Sequence, residues 1–367
     1  MLGAATVFHG RRPEEVLDLL PLLFSLCGAA QRATGLMACE QAMNILAPPA
    51  QRIARRVLVL GEAVAEQGLQ VLRDWPLLLG APPLIAQARD LRSLLGGLET
   101  CLFAGPWHHP GGTPLAPDRK ALQSRLSRAR AILVQDMLDG QDPRDLLIDA
   151  GALLRWSRSA SGPVAAMLCR LQAEGLEAFG RSDIPLLHEP AEARLEERLS
   201  GPDAAHFVAR PDLSGHPAET GPLARRCGTG IVAQLMREHG NGLLPRLVAR
   251  LVDLTENMEE LEESARLLRP EDGAPRRTGP TEAETSGTGF GLMPSARGLL
   301  AHRVALEDGH VADWRILAPT EWNFHPDGPL VRGLTGAWAG EDAEWRARLL
   351  IAALDPCVSC EVRVAHA

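Results

Sequence analysis

The chain has 367 residues, of which 46% are apolar, and its formal net charge at pH 7 is −8. This length and apolar content allow one large or two ordinary globular domains with a substantial core. Basic residues are interleaved with acidic ones, tyrosine is absent and aromatic residues total only 4%. The composition therefore argues against a basic nucleic-acid surface and a base-stacking platform, and we expect no nucleic acid as a partner.

The apolar segments and the cysteines bear on the compartment. The longest apolar run, residues 19–30, is interrupted by Pro21 and Ser25 and is too short to span a bilayer, and the N-terminus lacks a signal-peptide pattern. Seven cysteines are scattered along the chain, an odd number that argues against a disulfide framework. We expect a cytoplasmic protein with reduced thiols and no membrane insertion.

The first predicted helix begins near Pro13, where proline and two acids precede apolar residues at helical spacing. It should end or kink within 21–28. A second helix is predicted at about 29–45, before the Pro48–Pro49 pair. Cys27 therefore lies at a junction between two helices, where the turning backbone can expose its side chain.

Helical periodicity continues through the middle of the chain. The stretches with apolar residues at helical spacing are 52–102 with a break at 80–83, 119–135, 142–155 and 243–268. The last of these is the longest single helix. We expect these segments to form a helical bundle.

Residues 269–289 are rich in proline, glycine and charge, which predicts a flexible loop. Alternating apolar residues follow at 299–306 and 311–317, and the Asp308–Gly309 pair between them is a strong hairpin signal. A final helix is predicted at 341–354. The sequence thus predicts a mainly α fold with a small antiparallel β element (α+β).

We treat the chain as a single domain, 1–367. Its predicted parts are an N-terminal cysteine segment (1–50), the helical bundle (51–268), the loop (269–289) and a segment with the hairpin, the last helix and a Cys-x-x-Cys pair (290–367).

The Cys-x-x-Cys pair is formed by Cys357 and Cys360, directly after Asp355–Pro356. Thiols at i and i+3 can face one ion, and thiolate binds soft or borderline transition metals well. A redox pair and an incidental pair of cysteines are equally open on this pattern alone.

Six segments, in order along the chain, resemble signature segments of the large subunit of nickel–iron hydrogenases. They are 10–15, 26–30 with Cys27–Gly28, 219–225 (Glu-Thr-Gly-Pro-Leu-Ala-Arg), 295–302 (Ser-Ala-Arg-Gly-Leu-Leu-Ala-His), 319–323 (Pro-Thr-Glu-Trp-Asn) and 355–360 (Asp-Pro-Cys-Val-Ser-Cys). The resemblance implies the large-subunit fold, a mostly helical bundle in whose centre the two cysteine segments converge.

The resemblance also implies a metal site, from which this chain departs. In the family, two Cys-x-x-Cys pairs supply two terminal nickel thiolates and two thiolates that bridge nickel to iron. Carried over, Cys27 and Cys357 are the terminal positions and Cys360 is a bridging position, but the second bridging position holds Ala30. A methyl group cannot coordinate, so four thiolates are not available and nickel is not expected.

Further departures concern residues around the two pairs. Ser25 and Thr34 replace an arginine and a histidine of the first signature, and Arg363 replaces the histidine that follows the second. The chain ends seven residues after Cys360, without the longer tail that a protease removes from typical large-subunit precursors after nickel insertion. We therefore expect a protein that does not pass through nickel insertion.

The iron side of the site is retained. In the family, iron carries cyanide and carbonyl ligands that need hydrogen-bond donors in a dry pocket. The resemblance assigns these contacts to Arg297, Pro319 and Thr320, and the iron-binding thiolates to Cys360 with Cys357 and Cys27. This combination is similar to the HupK/HoxV-type hydrogenase expression/formation proteins.

Some residues keep a structural alternative. Arg297 can instead pair with an acid, and Thr320 can merely cap a turn after Pro319. Cys27 can be a small packed thiol at a helix junction. His108, His109 and His302 are candidate ligands, but neighbouring histidines in a loop rich in proline and glycine, such as His108 and His109, are more often solvated.

The sequence therefore predicts a non-enzymatic maturation scaffold or chaperone. It would hold the Fe(CN)₂CO fragment transiently and work with the hydrogenase large-subunit precursor and Hyp-type maturation chaperones. One alternative is a divergent catalytic large subunit, which would need nickel and an electron-transfer partner. Another is a partner-binding relative that kept the fold and lost the metal.

Overall fold

The computed structural model describes residues 5–187, 192–269, 276–277, 286–337 and 340–365. Most of these residues are helical. The helices are α1 (Pro13–Leu23), α2 (Gly28–Ala42), α3 (Pro49–Leu69), α4 (Trp75–Leu78), α5 (Ile85–Gly96), α6 (Leu98–Leu102), α7 (Arg119–Ile132), α8 (Pro143–Leu146), α9 (Ala150–Ser157), α10 (Pro163–Glu174), α11 (Glu192–Ser200), α12 (Ala204–Ala209), α13 (Pro222–Arg226), α14 (Gly230–His239), α15 (Leu243–Leu267), α16 (Pro319–Asn323), α17 (Pro329–Leu334) and α18 (Ala343–Leu354).

Strands form two small sheets. They are β1 (Ile45–Leu46), β2 (Arg276–Arg277), β3 (Gly287–Ser295), β4 (Gly298–Glu307) and β5 (His310–Leu317), with β1 antiparallel to β2 and an antiparallel order β3-β4-β5. Two π-helical turns, Gln70–Asp74 and Leu133–Met137, continue α3 and α7, and Ala5–Phe8 is a 3₁₀ turn. The predicted mainly α fold with a small antiparallel sheet is confirmed.

The long helices α3 and α15 pack against each other at the centre of the molecule, and α2 and α5 pack on α3. Both central helices are buried along much of their length because apolar residues recur around them. One large apolar cluster joins α1, α2, α3, α15 and α18 to one face of the three-stranded sheet. A smaller cluster covers the other face of the sheet.

The predicted hairpin is β4 and β5. Glu307 pairs with His310, and both residues between them have positive φ, 49° at Asp308 and 74° at Gly309. These angles are those of a two-residue hairpin turn whose twist matches the strands. The hairpin prediction is confirmed.

The third strand, β3, was not predicted, because it begins at Gly287 inside the expected loop. Glycines at 287, 289 and 291 occupy alternate positions of this strand. A Cβ at Gly289 or Gly291 would overlap the carbonyl oxygens of Ala38 and Thr34 in α2. The alternating glycines therefore let the sheet lie directly on α2, the helix that follows Cys27.

Only part of the predicted loop, 269–289, falls within the described residues. Arg276–Arg277 pair with Ile45–Leu46 as β2, whereas 270–275 and 278–285 lie outside the described residues. Helices α10 to α14 lie in the part of the predicted helical bundle, 51–268, for which no individual helices were predicted. Among the described residues, no helix is both long and apolar enough to cross a membrane.

Candidate functional site

The site lies where the beginning of α2 meets the irregular segment after α18. Cys27 precedes the first residue of α2 and is buried, and Cys357 is half-buried three residues beyond the end of α18. Their thiol groups lie close enough to interact through a hydrogen bond, which perturbs the pKa of each. The two cysteine segments thus converge through Cys27 and Cys357, while the metal-ligand roles of both residues stay a prediction.

The two thiols differ in acidity. The hydrogen bond from Cys27 lowers the pKa of Cys357 to about 7, with further lowering by the charge of Arg297 and a hydrogen bond with Thr320, although burial opposes this. The same hydrogen bond and burial raise the pKa of Cys27 well above its ordinary value. The pair therefore favours a state in which Cys27 keeps its proton and Cys357 is the thiolate.

Cys360 does not join this pair. It is exposed, and its sulfur lies 3.8 Å from the carbonyl oxygen of Val358. Cys360 lines a cavity of about 760 Å³ whose wall also includes Arg297 and Asp355. Within the part of the chain that the structure describes, no three His, Cys, Asp or Glu residues are grouped so that they could hold a metal ion. Coordination by all three predicted thiols would require residues 358–360 to move inwards.

Arg297 lies in the turn between β3 and β4 and is buried. Its Nε donates to Asp355 (3.2 Å), Nη1 to the carbonyl oxygen of Leu26 (3.2 Å) and Nη2 to Glu66 (3.0 Å). Burial would lower the pKa of Arg297, but the negative charges of Asp355, Cys357 and Glu66 raise it. Arg297 therefore pairs with acidic residues, which is the structural alternative to a ligand contact. These three bonds use only three of the five guanidinium N–H groups.

Thr320 and Pro319 begin the short helix α16. Pro319 is buried at its first position, where a proline fits without loss of a hydrogen bond. The Thr320 hydroxyl accepts a hydrogen bond from the backbone N–H of Cys357 (3.1 Å) and also bonds the Cys357 sulfur. Thr320 therefore caps the turn that carries Cys357 instead of its own turn.

Two acids that were not predicted from the sequence, Glu62 and Glu66, complete the electrostatics. Glu62 lies in the middle of α3 and accepts hydrogen bonds from the backbone N–H groups of Ala29 (2.6 Å) and Ala30 (3.0 Å) at the start of α2. Burial raises the pKa of Glu62 to about 7, although these two bonds lower it. The backbone at the position of the missing thiolate thus contacts a half-buried carboxyl group. Glu62 and Glu66, four residues apart on a predicted bundle helix, were the available signal.

Asp355 fixes the approach of the C-terminal segment. It has a left-handed conformation (φ 53°, ψ 77°) at the end of α18. Its carboxylate bonds Arg297 and lies 3.6 Å from Nη1 of Arg250, a fully buried residue of α15. Left-handed geometry is costly for an aspartate and persists only where the surroundings enforce it.

A chain of buried polar groups reaches Cys27 from the sheet. Trp314 Nε1 donates to His302 Nδ1 (3.1 Å), His302 Nε2 lies 2.8 Å from Gln31 Oε1, and Gln31 Nε2 lies 3.7 Å from Cys27 Sγ. Burial lowers the pKa of His302 to about 3, so the ring is neutral. The side chain of His302 is completely buried, and His108, which was expected to be solvated, is buried as well.

Comparison with solved structures defines the class of fold. The chain resembles the Ni-Fe-Se hydrogenase from D. vulgaris Hildenborough, with a TM-score of 0.69 over 97% of this chain and 91% of that chain at 15% identity. A Ni-Fe-Se hydrogenase from Desulfomicrobium baculatum gives a TM-score of 0.68 over 97% and 91% at 14% identity. The fold is therefore that of nickel–iron hydrogenase large subunits, as predicted.

Sequence comparison identifies the family within this fold. Residues 186–363 match the family model of nickel-dependent hydrogenases. The chain is 32% identical to the hydrogenase expression/formation protein HupV of Azotobacter chroococcum mcd 1 over 98% of this chain and 90% of the relative. It is likewise 32% identical to HupK of Azotobacter vinelandii (98% and 90%) and 30% to HoxV of Cupriavidus necator (99% and 91%). The protein belongs to the HupK/HoxV-type hydrogenase expression/formation proteins.

Proposed function

We propose that the protein acts in hydrogenase maturation as a scaffold that holds the Fe(CN)₂CO fragment and passes it to the large-subunit precursor. Membership in the expression/formation family supports the maturation role. The proposal that the protein holds the Fe(CN)₂CO fragment is supported by the part of the family's metal site that this chain retains, which we call the half-site. Cys27 and Cys357 are hydrogen-bonded beside Arg297 and Thr320, while Ala30 stands at the second bridging position.

The residues of this half-site suit an anionic iron fragment. One thiolate is available at neutral pH on Cys357, and a second forms when Cys27 releases its proton. The guanidinium of Arg297 offers positive charge and remaining N–H groups to cyanide or carbonyl ends, and Thr320 offers a hydroxyl. A dry pocket in which donors face a diatomic anion reduces the cost of burying that anion.

Passage of the fragment requires access, and the 760 Å³ cavity supplies it. The cavity leads from solvent to Arg297 and Asp355, and Cys360 lies on its wall. We propose that Cys360 completes the thiolate set when the fragment is bound, after a movement of 358–360. Nickel stays outside this proposal because Ala30 leaves at most three of the four thiolates.

We propose no hydrogen turnover by this protein. Its partners in the proposal are the hydrogenase large-subunit precursor and Hyp-type chaperones, and its place of action is the cytoplasm, where thiols stay reduced. The cysteines of the site are then available as ligands.

Infrared spectroscopy of protein purified without oxygen, after expression with the maturation machinery, tests the proposal. We expect cyanide and carbonyl stretching bands that are lost in Cys357→Ala and strongly weakened in Cys27→Ala. Cys101→Ala is the matched control for Cys27→Ala, because Cys101 is as buried as Cys27 but lies in α6, outside the site. Absence of the bands in every preparation of the unchanged protein would overturn the proposal.

A catalytic large subunit is the second candidate, supported by the likeness to hydrogenase structures. A catalytic large subunit would contain stoichiometric nickel and would reduce a dye in the presence of hydrogen. Both properties are measured on the same anaerobic sample. A partner-binding relative without metal would instead keep full maturation activity in a Cys357→Ala, Cys360→Ala double variant.

A further inference from the structure

The chain of polar groups from Trp314 to Cys27 has a defined direction. An indole N–H can only donate, so His302 Nδ1 is the acceptor. The neutral ring then carries its proton on Nε2 and donates to Gln31 Oε1. With its oxygen held in this way, the amide of Gln31 must turn its NH₂ group towards Cys27 Sγ. One fixed donor on β5 therefore sets the orientation of every group up to the sulfur.

We infer that Trp314, His302 and Gln31 are positioning residues for Cys27, which present an uncharged N–H donor to its sulfur. This inference rests on the proposed function, because the donor matters most when Cys27 is a metal-bound thiolate. A hydrogen bond to an ionised sulfur is stronger than one to a neutral thiol. The relay thus stabilises the thiolate that forms on binding without burying another charge beside it.

The fold keeps this relay dry and rigid. Gln31, His302 and Trp314 are at most 1% exposed. Gln31 lies in the first turn of α2, whereas His302 and Trp314 lie on the paired strands β4 and β5. Gly35 provides the space, because a Cβ there would lie 2.8 Å from Trp314 Cζ2 and 3.2 Å from His302 Nδ1. The close contact between α2 and the sheet is therefore also what brings the relay to Cys27.

Buried polar groups also bond simply to avoid remaining unsatisfied, so the test needs a readout at the sulfur. The probe is Co²⁺ added to the reduced full-length protein without oxygen, with the thiolate-to-cobalt charge-transfer band recorded. Loss of a hydrogen bond leaves sulfur more electron-rich, which moves this band to longer wavelength. We expect this shift in Gln31→Met, which keeps the shape of the side chain, and in Gln31→Glu, which offers an acceptor instead of a donor.

Trp314→Phe is expected to give a smaller shift in the same direction, because His302 is then free to change tautomer. Trp75→Phe is its matched control, since Trp75 is an equally buried tryptophan whose Nε1 has no hydrogen-bond partner in the structure. A band that forms in the unchanged protein and stays in place in Gln31→Met overturns the relay. A shift of equal size in Trp75→Phe also overturns it.

If cobalt gives no thiolate band even in the unchanged protein, the proposed metal site fails and the relay is decided on the metal-free protein. Nitrogen-15 NMR of labelled histidine should then show His302 as the Nε2–H tautomer, with a mixture of tautomers in Trp314→Phe. Thermal unfolding of each variant identifies any that fails to fold. The Nδ1–H tautomer in the unchanged protein refutes the relay independently of any metal.

Discussion

Asp253, on α15, is expected to be one of the largest electrostatic contributors to the stability of the fold. Its carboxylate is fully buried and accepts hydrogen bonds from Arg225 (3.0 and 2.6 Å), Arg226 (2.8 Å), Gln67 (2.6 Å) and Asn257 (3.2 Å). Burial alone would raise the pKa of Asp253, but the charge and hydrogen bonds of Arg225, followed by those of Arg226 and Gln67, lower it to about 2.

The size of the effect follows from this pKa. The gap between the ordinary value of 3.8 and about 2 corresponds to about 2 kcal/mol of stability at neutral pH. Because the folded-state pKa is depressed, this contribution is complete above the unfolded-state value and disappears as the pH falls through about 2. Asp253→Asn also removes the carboxylate that the partly buried Arg225 and Arg226 share, so we expect a total loss of about 3 kcal/mol at pH 7.

Urea unfolding of both proteins at pH 7 and at successively lower pH measures the difference. The difference should be about 3 kcal/mol at pH 7 and should shrink below pH 4. Glu256→Gln is the control, because Glu256 pairs with Arg226 from a half-exposed position and should cost less than about 1 kcal/mol. A loss for Asp253→Asn no larger than that of the control, or one that does not change with pH, would refute the reasoning.

Three further predictions concern the site. In Glu62→Gln, the dependence of stability on pH between about 4.5 and 7 should flatten. A carboxyl group whose folded-state pKa is raised weakens the fold as it ionises over this pH range, and the variant lacks that group. Thermal melts at a series of pH values measure this dependence. Thr320→Val removes a hydroxyl bonded to the Cys357 thiolate, so the pKa of Cys357 should rise and its alkylation at pH 7 should slow. The alkylation rate is measured in a Cys360→Ser background, and an unchanged rate would contradict the assigned bond. Arg297→Lys keeps the charge but not the fork that joins Asp355 and Glu66, and should lower the unfolding free energy by about 2 kcal/mol in urea titrations; a loss below about 0.5 kcal/mol would show that the fork is not needed.

Local patterns in the sequence sufficed for much of the fold. The turn at Asp308–Gly309, the helix that begins at Pro13 and the long helix that begins at Leu243 are each specified by neighbouring residues. Strand β3 was missed because its alternating glycines have no apolar side chains to indicate a strand. Their meaning depends on the contact with α2, which is distant in sequence.

The site was predictable only as far as the family resemblance extended. Cys27, Cys357, Arg297 and Thr320 are brought together by the structure, although nothing local in the sequence links them. Cys360 lies apart because the segment after Cys357 turns to the cavity. The polar side chains that lead to Cys27 could not be predicted from the sequence, for a physical reason. Gln31 and His302 are separated by 271 residues, and only burial shows that they must bond each other.

The meeting of Cys27 with Cys357 has a consequence for the order of events in synthesis. The two residues are separated by most of the polypeptide, and their contact requires α18 to be docked against α15. Chains fold from the N-terminus while they are made, and contacts between distant residues form late. A ribosome-bound chain that stops short of Cys357 therefore has no thiol pair. Under the proposed function, cargo bound through this pair would report that translation has passed Cys357 and that α18 is in place.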